Sequence, residues 1–361
     1  MKKIALSMIL LLATSVAAFA QSDLQVLAVV KYNKSESITV KQLKTRAALY
    51  ERQIGRSLSI DEKKDLLNLL IEEKLLLQAA QKEKISVADS DVDQTFAQTL
   101  SQQLGANVSE KELSDYIKKT QGVTLEELFL QQNGISVAEY KSNLKNQLLM
   151  QQYVMKTKQS EIEKITATND EVKNFYEANS ESFARADLMK LFMVIVPKGS
   201  APESAKIKLN DYLNKYKEKK LSMDDIINQS SADNSGFQAG TFLVTKTETA
   251  AKAYDMNLQS LIFLYSQEEG YVSELQETSA DYRFISVIKK YPKKFLDIMD
   301  EMQPDSGVIV YNYISALLTQ QKQLNYLSQA ANELSKSLNT EANVEYKKKD
   351  AALDKLLDWE N

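Results

Sequence analysis

The side chains that most often carry chemistry in proteins are missing from this sequence. Its 361 residues contain no histidine and no cysteine. That excludes a Ser-His-Asp triad, a Cys-His pair, a zinc finger, a haem and an iron–sulfur cluster. Any proton transfer must run on Asp, Glu, Lys, Tyr, Ser or Thr, and no disulfide can brace the fold. The sequence has no GxxxxGK[ST] loop, so no nucleotide engine is implied. The expectation is therefore no metal, no cofactor and no nucleotide. Lys and Arg number 45 against 49 Asp and Glu, a mildly acidic balance that gives no support to nucleic-acid binding. Beside such proton transfer stands chemistry by surface: burial, hydrogen bonding and shape.

The elements that would build such surfaces are mostly helical. Proline and glycine are scarce, four and nine, and no proline precedes Pro197, so long helices can run without interruption. Residues 1–20 read as a cleavable export signal. Lys2 and Lys3 start it, Ile4 to Ala13 form its apolar core, and Ala18-Phe19-Ala20 makes a small-x-small site before Gln21. The expected location is periplasmic. No lipid attachment is expected, because no cysteine follows the site, and no later run approaches the roughly 18 apolar residues of a membrane span.

Leu27 to Tyr32 and Ile38 to Val40 flank a polar turn and predict a small hairpin. Capping-box pairs then mark helix starts at Ser59/Glu62, Ser109/Glu112, Thr124/Glu127, Ser136/Glu139 and Thr168/Glu171. Composition changes near Phe183. Leu188 to Val196 is the densest β-prone run, and helical stretches follow from Glu203 to Lys219 and after Ser222. Gly240 to Val244 predicts a strand, Ala250 to Tyr265 one helix, and Tyr271 to Leu275 and Tyr282 to Ile288 two more strands. Beyond Pro292, apolar residues recur at helical spacing from Val310 to Leu338. Ala342 to Tyr346 reads as a short strand, and a charged tail ends the chain.

In this order of elements the chain resembles the SurA/PrsA group of exported foldases, helical chaperone domains that carry parvulin-type peptidyl-prolyl isomerase modules. The stretches that carry the resemblance are Val29 to Thr39, Leu69 to Ala80, Ala331 to Glu345, and Leu188 to Tyr291 with Ala239-Gly240-Thr241-Phe242 and Gly270-Tyr271-Val272-Ser273. The resemblance implies an α+β protein. Residues 21–183 and 293–361 would together form a discontinuous helical chaperone domain, and 184–292 an inserted parvulin-like domain. It also implies a site. Parvulins place two facing histidines where this sequence has Met193 and Arg283, and a proline pocket where it has Tyr254 and Leu258. Met offers a weak sulfur acceptor and Arg only donors, so the catalytic positions are degenerate while an apolar peptide groove could survive.

Three functions are consistent with these residues. One is an ATP-independent holdase for unfolded or nascent exported polypeptides. Another is an isomerase of altered chemistry, with Arg283 donating to the prolyl amide, since bond rotation needs no nucleophile. The last is a dedicated assembly or scaffold protein of the cell envelope with one fixed partner.

Overall fold

The computed structural model of the chain describes residues 23–104 and 109–359. The export signal expected over residues 1–20 lies outside them. In chain order the elements begin with β1 (Val26–Val30), β2 (Glu36–Thr39), α1 (Val40–Ile54), α2 (Ile60–Lys82), α3 (Asp89–Leu104) and α4 (Glu110–Gln121). There follow α5 (Leu125–Asn133), α6 (Val137–Thr157), α7 (Gln159–Ile162), α8 (Asn169–Asn179), β3 (Ala184–Arg185) and β4 (Leu188–Pro197). Next come α9 (Pro202–Lys217), α10 (Met223–Ser230), β5 (Gln238–Thr245), α11 (Glu248–Ala253), α12 (Leu258–Ser266) and β6 (Gln276–Glu277). The chain closes with β7 (Asp281–Tyr291), β8 (Lys294–Phe295), α13 (Val310–Leu338), β9 (Val344–Tyr346) and α14 (Asp350–Leu357). These divide into two compact units. The first runs to Thr166 and resumes at Gln320, and the second spans Ala167–Thr319.

The first unit is closed by a three-stranded antiparallel sheet of order β2-β1-β9, in which Val30 faces Val344 and Ala28 faces Tyr346. Its core gathers Leu27, Val30 and Ile38 from the hairpin, Leu67, Ile71 and Leu75 from α2, and Val344, Leu353 and Leu357 from the C-terminal segment. The tail that sequence suggested was merely charged is thus a helix with a packed apolar side. Gln78 of α2 is fully buried. Its carbonyl oxygen accepts from the Asn33 N–H at 2.9 Å and its amide donates to Glu36, which fixes the β1–β2 turn on the helix. Farther along the unit, Leu76, Ala80, Tyr153 and Ala330 join α2, α6 and α13, while Phe96, Phe129 and Tyr140 form a triangle of rings 5.3–5.7 Å apart.

The capping pairs behave as their spacing requires, with one difference. Ser59, Ser109, Thr124 and Thr168 each make both halves of the box. Ser136 accepts from the Glu139 N–H, but no return bond from Glu139 forms, and Glu126 takes the neighbouring Val137 N–H instead. Two further boxes, Thr39/Gln42 and Ser222/Asp225, use neutral or shorter partners.

Some of these surface carboxylates are strongly perturbed. Hydrogen bonds from Lys31 and then Lys347 hold Glu345 down to about 2, and Arg56 with the Ser59 N–H does the same for Glu62. A folded value below the unfolded one stabilises the fold fully above about pH 4.5 and loses that contribution as the pH falls toward 2. The first unit is therefore expected to melt at progressively lower temperature across that window. Circular dichroism melts should show a smaller acid loss for Glu345→Gln than for the parent chain.

The second unit holds a four-stranded antiparallel sheet of order β5-β4-β7-β6. Alternation along β4 sends Phe192, Val194 and Val196 to one face, under α9 and α10, and Met189, Leu191 and Met193 to the other, under α11 and α12. The single helix expected over Ala250–Tyr265 is broken. Asp255 takes a positive φ of 54°, and Asn257 restarts the helix by accepting from the Ser260 N–H at 2.7 Å. The strand expected over Tyr271–Leu275 reduces to an isolated bridge, Val272 to Ser286. The Ser273 hydroxyl, not a backbone carbonyl, accepts from the Ile285 N–H at 2.9 Å, which interrupts the ladder before β6. Residues flanking the sheet also belong here, because Val172, Phe183, Leu296, Val310 and Ile314 form one cluster. The second compact unit, Ala167–Thr319, therefore takes in residues on both sides of 184–292.

Candidate functional site

Two regions can be tested as sites, one in each unit. In the second, β4 and β7 set out the positions named by the parvulin resemblance. Met193 pairs with Ile285, and Arg283 pairs with Ile195, two residues along the ladder. Met193 and Arg283 therefore share a face of the sheet but stand diagonally rather than opposite. Met193 is buried in the cluster with Met189, Val244, Met256, Leu261 and Ile285.

Arg283 is 3% exposed, and each of its three nitrogens donates one hydrogen bond. Its Nε donates to Asp281 Oδ1 at 2.7 Å, its Nη2 to Asp281 Oδ2 at 2.6 Å, and its Nη1 to the Tyr254 carbonyl at 3.1 Å. The hydrogen bonds to Asp281 raise the guanidinium above its usual value. Such a group is a structural cross-link, with its strongest donors spent. The Tyr254 ring stacks on Phe242, centroids 3.9 Å apart. Leu258, at the start of α12, is instead exposed with Ile262 and Phe263 on one side of that helix. The structure thus brings Met193, Tyr254 and Arg283 to one apolar layer and turns Leu258 to the surface. A hollow of about 260 Å³ adjoins this layer, lined by Gln259, Ser260, Phe263, Leu264, Gln276 and Ile285. No cluster of carboxylates suited to a metal ion occurs among the described residues.

The second region lies in the first unit and was not picked out from the sequence. It is an open groove of about 800 Å³ between α1, α2 and α6. Leu49 and Tyr50 from α1, Leu70 and Leu77 from α2, and Leu144 and Met150 from α6 supply its apolar surface. Between them stand neutral hydrogen-bonding groups, Gln42, Thr45 and Gln53 on one wall and Asn143, Asn146 and Gln147 on the other. Arg46 and Glu73 are locked in a two-pronged ion pair, at 3.2 and 2.8 Å, and Lys74 lies 3.5 Å from Glu36. Leu49 and Tyr50 are more than one-third exposed. The signal missed in sequence was local: α1 places Thr45, Leu49 and Tyr50, with Lys41 and Gln42, along one stripe.

The units define a class of protein: an α+β chain in which a helical unit closed by β1 and β9 is interrupted by a second unit with an antiparallel sheet. No protein-family model matches the chain, and no curated protein matches its sequence. Among solved structures it is similar to a SurA-like chaperone of Campylobacter jejuni, at 16% identity over 90% of this chain and 99% of that one, with a TM-score of 0.31. It is also similar to the foldase PrsA of Streptococcus pneumoniae, at 16% identity, 90% and 96% coverage and a TM-score of 0.27. PrsA of Bacillus subtilis gives 16% identity, 91% and 97% coverage and a TM-score of 0.26.

Proposed function

We propose that the chain is an exported, ATP-independent chaperone that holds unfolded polypeptides in the groove between α1, α2 and α6. The groove carries this reading: its apolar side chains offer burial to any chain, and its neutral amides can bond a peptide backbone without selecting a sequence. Residues 184–292 serve in this reading as a parvulin-like module that has lost isomerase chemistry, inserted in a chaperone domain formed by 21–183 and 293–361. Its two catalytic positions hold a buried Met193 and an Arg283 already bonded to Asp281. The protein acts in the periplasm on nascent or unfolded exported proteins and needs neither nucleotide nor nucleic acid. No described helix is long and apolar enough to cross a membrane.

Two assays on the mature protein test this. Suppression of aggregation of a chemically unfolded client is expected from the parent chain at near-stoichiometric amounts, and its loss from Leu49→Glu combined with Tyr50→Glu. Isomerisation of a proline-containing peptide should run at the uncatalysed rate. Full suppression by the groove variant would reject the groove as the client site. Clear turnover abolished by Arg283→Ala would restore the isomerase reading.

A further inference from the structure

The outer strand β5 is a sheet edge whose own residues carry no guard. Edge strands expose a row of unpaired N–H and C=O groups, and folded proteins usually blunt them with proline, charge, a bulge or extreme shortness. Gln238–Thr245 has none of these: no charged residue, no proline, and unbroken pairing with β4 from Leu188–Thr245 to Ile195–Gln238. In an antiparallel pair, alternate residues of an edge strand turn their N–H and C=O groups away from the partner. Side chains bond strand carbonyls near its two ends. Tyr265 Oη donates to the Val244 carbonyl at 2.7 Å, and Ser230 Oγ lies 3.4 Å from the Ala239 carbonyl. Among the described residues, no hydrogen bond beyond the sheet reaches the N–H or C=O groups of the residues between, Gly240–Leu243.

Gly240 supplies a second, independent observation. Its φ lies outside the left-handed region, so the backbone does not require glycine there, and a Cβ built on it would meet nothing within 4 Å. A glycine inside a strand commonly marks the close approach of a ligand or another backbone. Residues two apart on a strand share a face, so this open space lies on the side of Phe242, whose ring is stacked on Tyr254. A large side chain from an added strand can fill that gap and pack on the aromatic pair.

We propose that β5 captures an extended segment of unfolded polypeptide as a fifth strand, centred on Gly240–Leu243, with an aromatic or aliphatic side chain seated beside Gly240. The complement of an uncharged row of open peptide groups is another peptide backbone, and neither side brings a charge that would repel it. A second copy of β5 fits less well, because α10 and α11 both contact β5. Two folded copies would bring those helices against each other, whereas an extended client segment carries none. The proposal rests on the reading of the protein as a polypeptide binder and adds a sheet-edge contact to it.

The test uses the full mature chain and a short synthetic peptide of alternating threonine and phenylalanine with lysine at each end. Amide hydrogen exchange should slow at least about tenfold at those amides of Gly240–Leu243 that face away from β4 when the peptide is added. Gly240→Val, which the open space and ordinary φ allow, should keep the melting temperature and weaken peptide binding about tenfold. Unchanged exchange at Gly240–Leu243 at saturating peptide would overturn the proposal, as would failure of the peptide to bind. Protection that appears without peptide and grows with protein concentration would replace the client by a second copy. An edge that fails while the parent chain still suppresses aggregation, and the Leu49→Glu, Tyr50→Glu variant does not, rejects the strand addition alone.

Discussion

A chain ending at Thr340 is expected to lose the cooperative fold of its first unit. The missing residues include β9, which pairs with β1 along Ala28–Val30, and the flanking bonds from the Lys31 N–H to Asn343 and from the Lys347 N–H to Leu27, at 2.7 and 2.9 Å. They also include Val344, Leu353 and Leu357 of the core. At about 1.5–3 kcal/mol for each buried aliphatic side chain, the three together contribute roughly 5–9 kcal/mol. That is comparable with the whole stability of a typical domain, about 5–15 kcal/mol. A second loss adds to it. Lys63 is 3% exposed, donates to the Leu357 carbonyl at 3.2 Å and lies 4.3 Å from the centre of the Trp359 ring. Truncation removes both of these contacts while α2 still holds the cation in place. Proteolysis and near-UV circular dichroism of the truncated chain should report an unstructured or molten first unit. Leu357→Ala alone should cost about 2–5 kcal/mol, read from urea unfolding. A truncated chain that melts at the parent temperature would show that the C-terminal segment is an accessory rather than part of the core.

That segment also shows where sequence reading stops. Capping boxes were legible because both partners sit within one turn, and four of five formed as the spacing requires. The long strand β4 was legible because an unbroken β-prone run ending at Pro197-Lys198-Gly199 has few other uses. In α14 the apolar positions Leu353, Leu356 and Leu357 are interleaved with Asp354 and Lys355, and so few turns give no period to detect. The groove was hidden for a different reason. On α2, Leu67, Ile71 and Leu75 are buried in the core while Leu70, beside Ile71, lines the groove. All four are aliphatic residues of one helix, and only the packing of α1, α2 and α6 decides which is left uncovered. Asp281 was visible next to Arg283, but the spacing of two that puts both on one face counts only once the strand is known to be buried.

Separating Asp281 from Arg283 is expected to destabilise the second unit strongly. The side chains of Arg283 and Asp281 are 4% and 10% exposed and joined by two bonds of 2.7 and 2.6 Å. Removing one partner leaves a buried charge uncompensated, which typically costs about 3–5 kcal/mol. Asp281→Asn and Arg283→Met should each show this loss in urea unfolding. The double variant should recover much of it, because a buried ion pair replaced by neutral groups is often close to neutral in stability. Arg283→Met also frees the Tyr254 carbonyl, so part of its loss should persist in the double variant and distinguish the two single changes. The same series decides what Arg283 is for. A cross-link predicts coupled stabilities and a prolyl isomerisation rate that stays at the uncatalysed value in all four proteins. An electrophile predicts the reverse: Arg283→Met would remove a measurable turnover, and Asp281→Asn would alter it by releasing the guanidinium. The three bonds that hold Arg283 and its burial favour the cross-link, since the guanidinium is anchored on Asp281 and Tyr254 and out of reach of solvent.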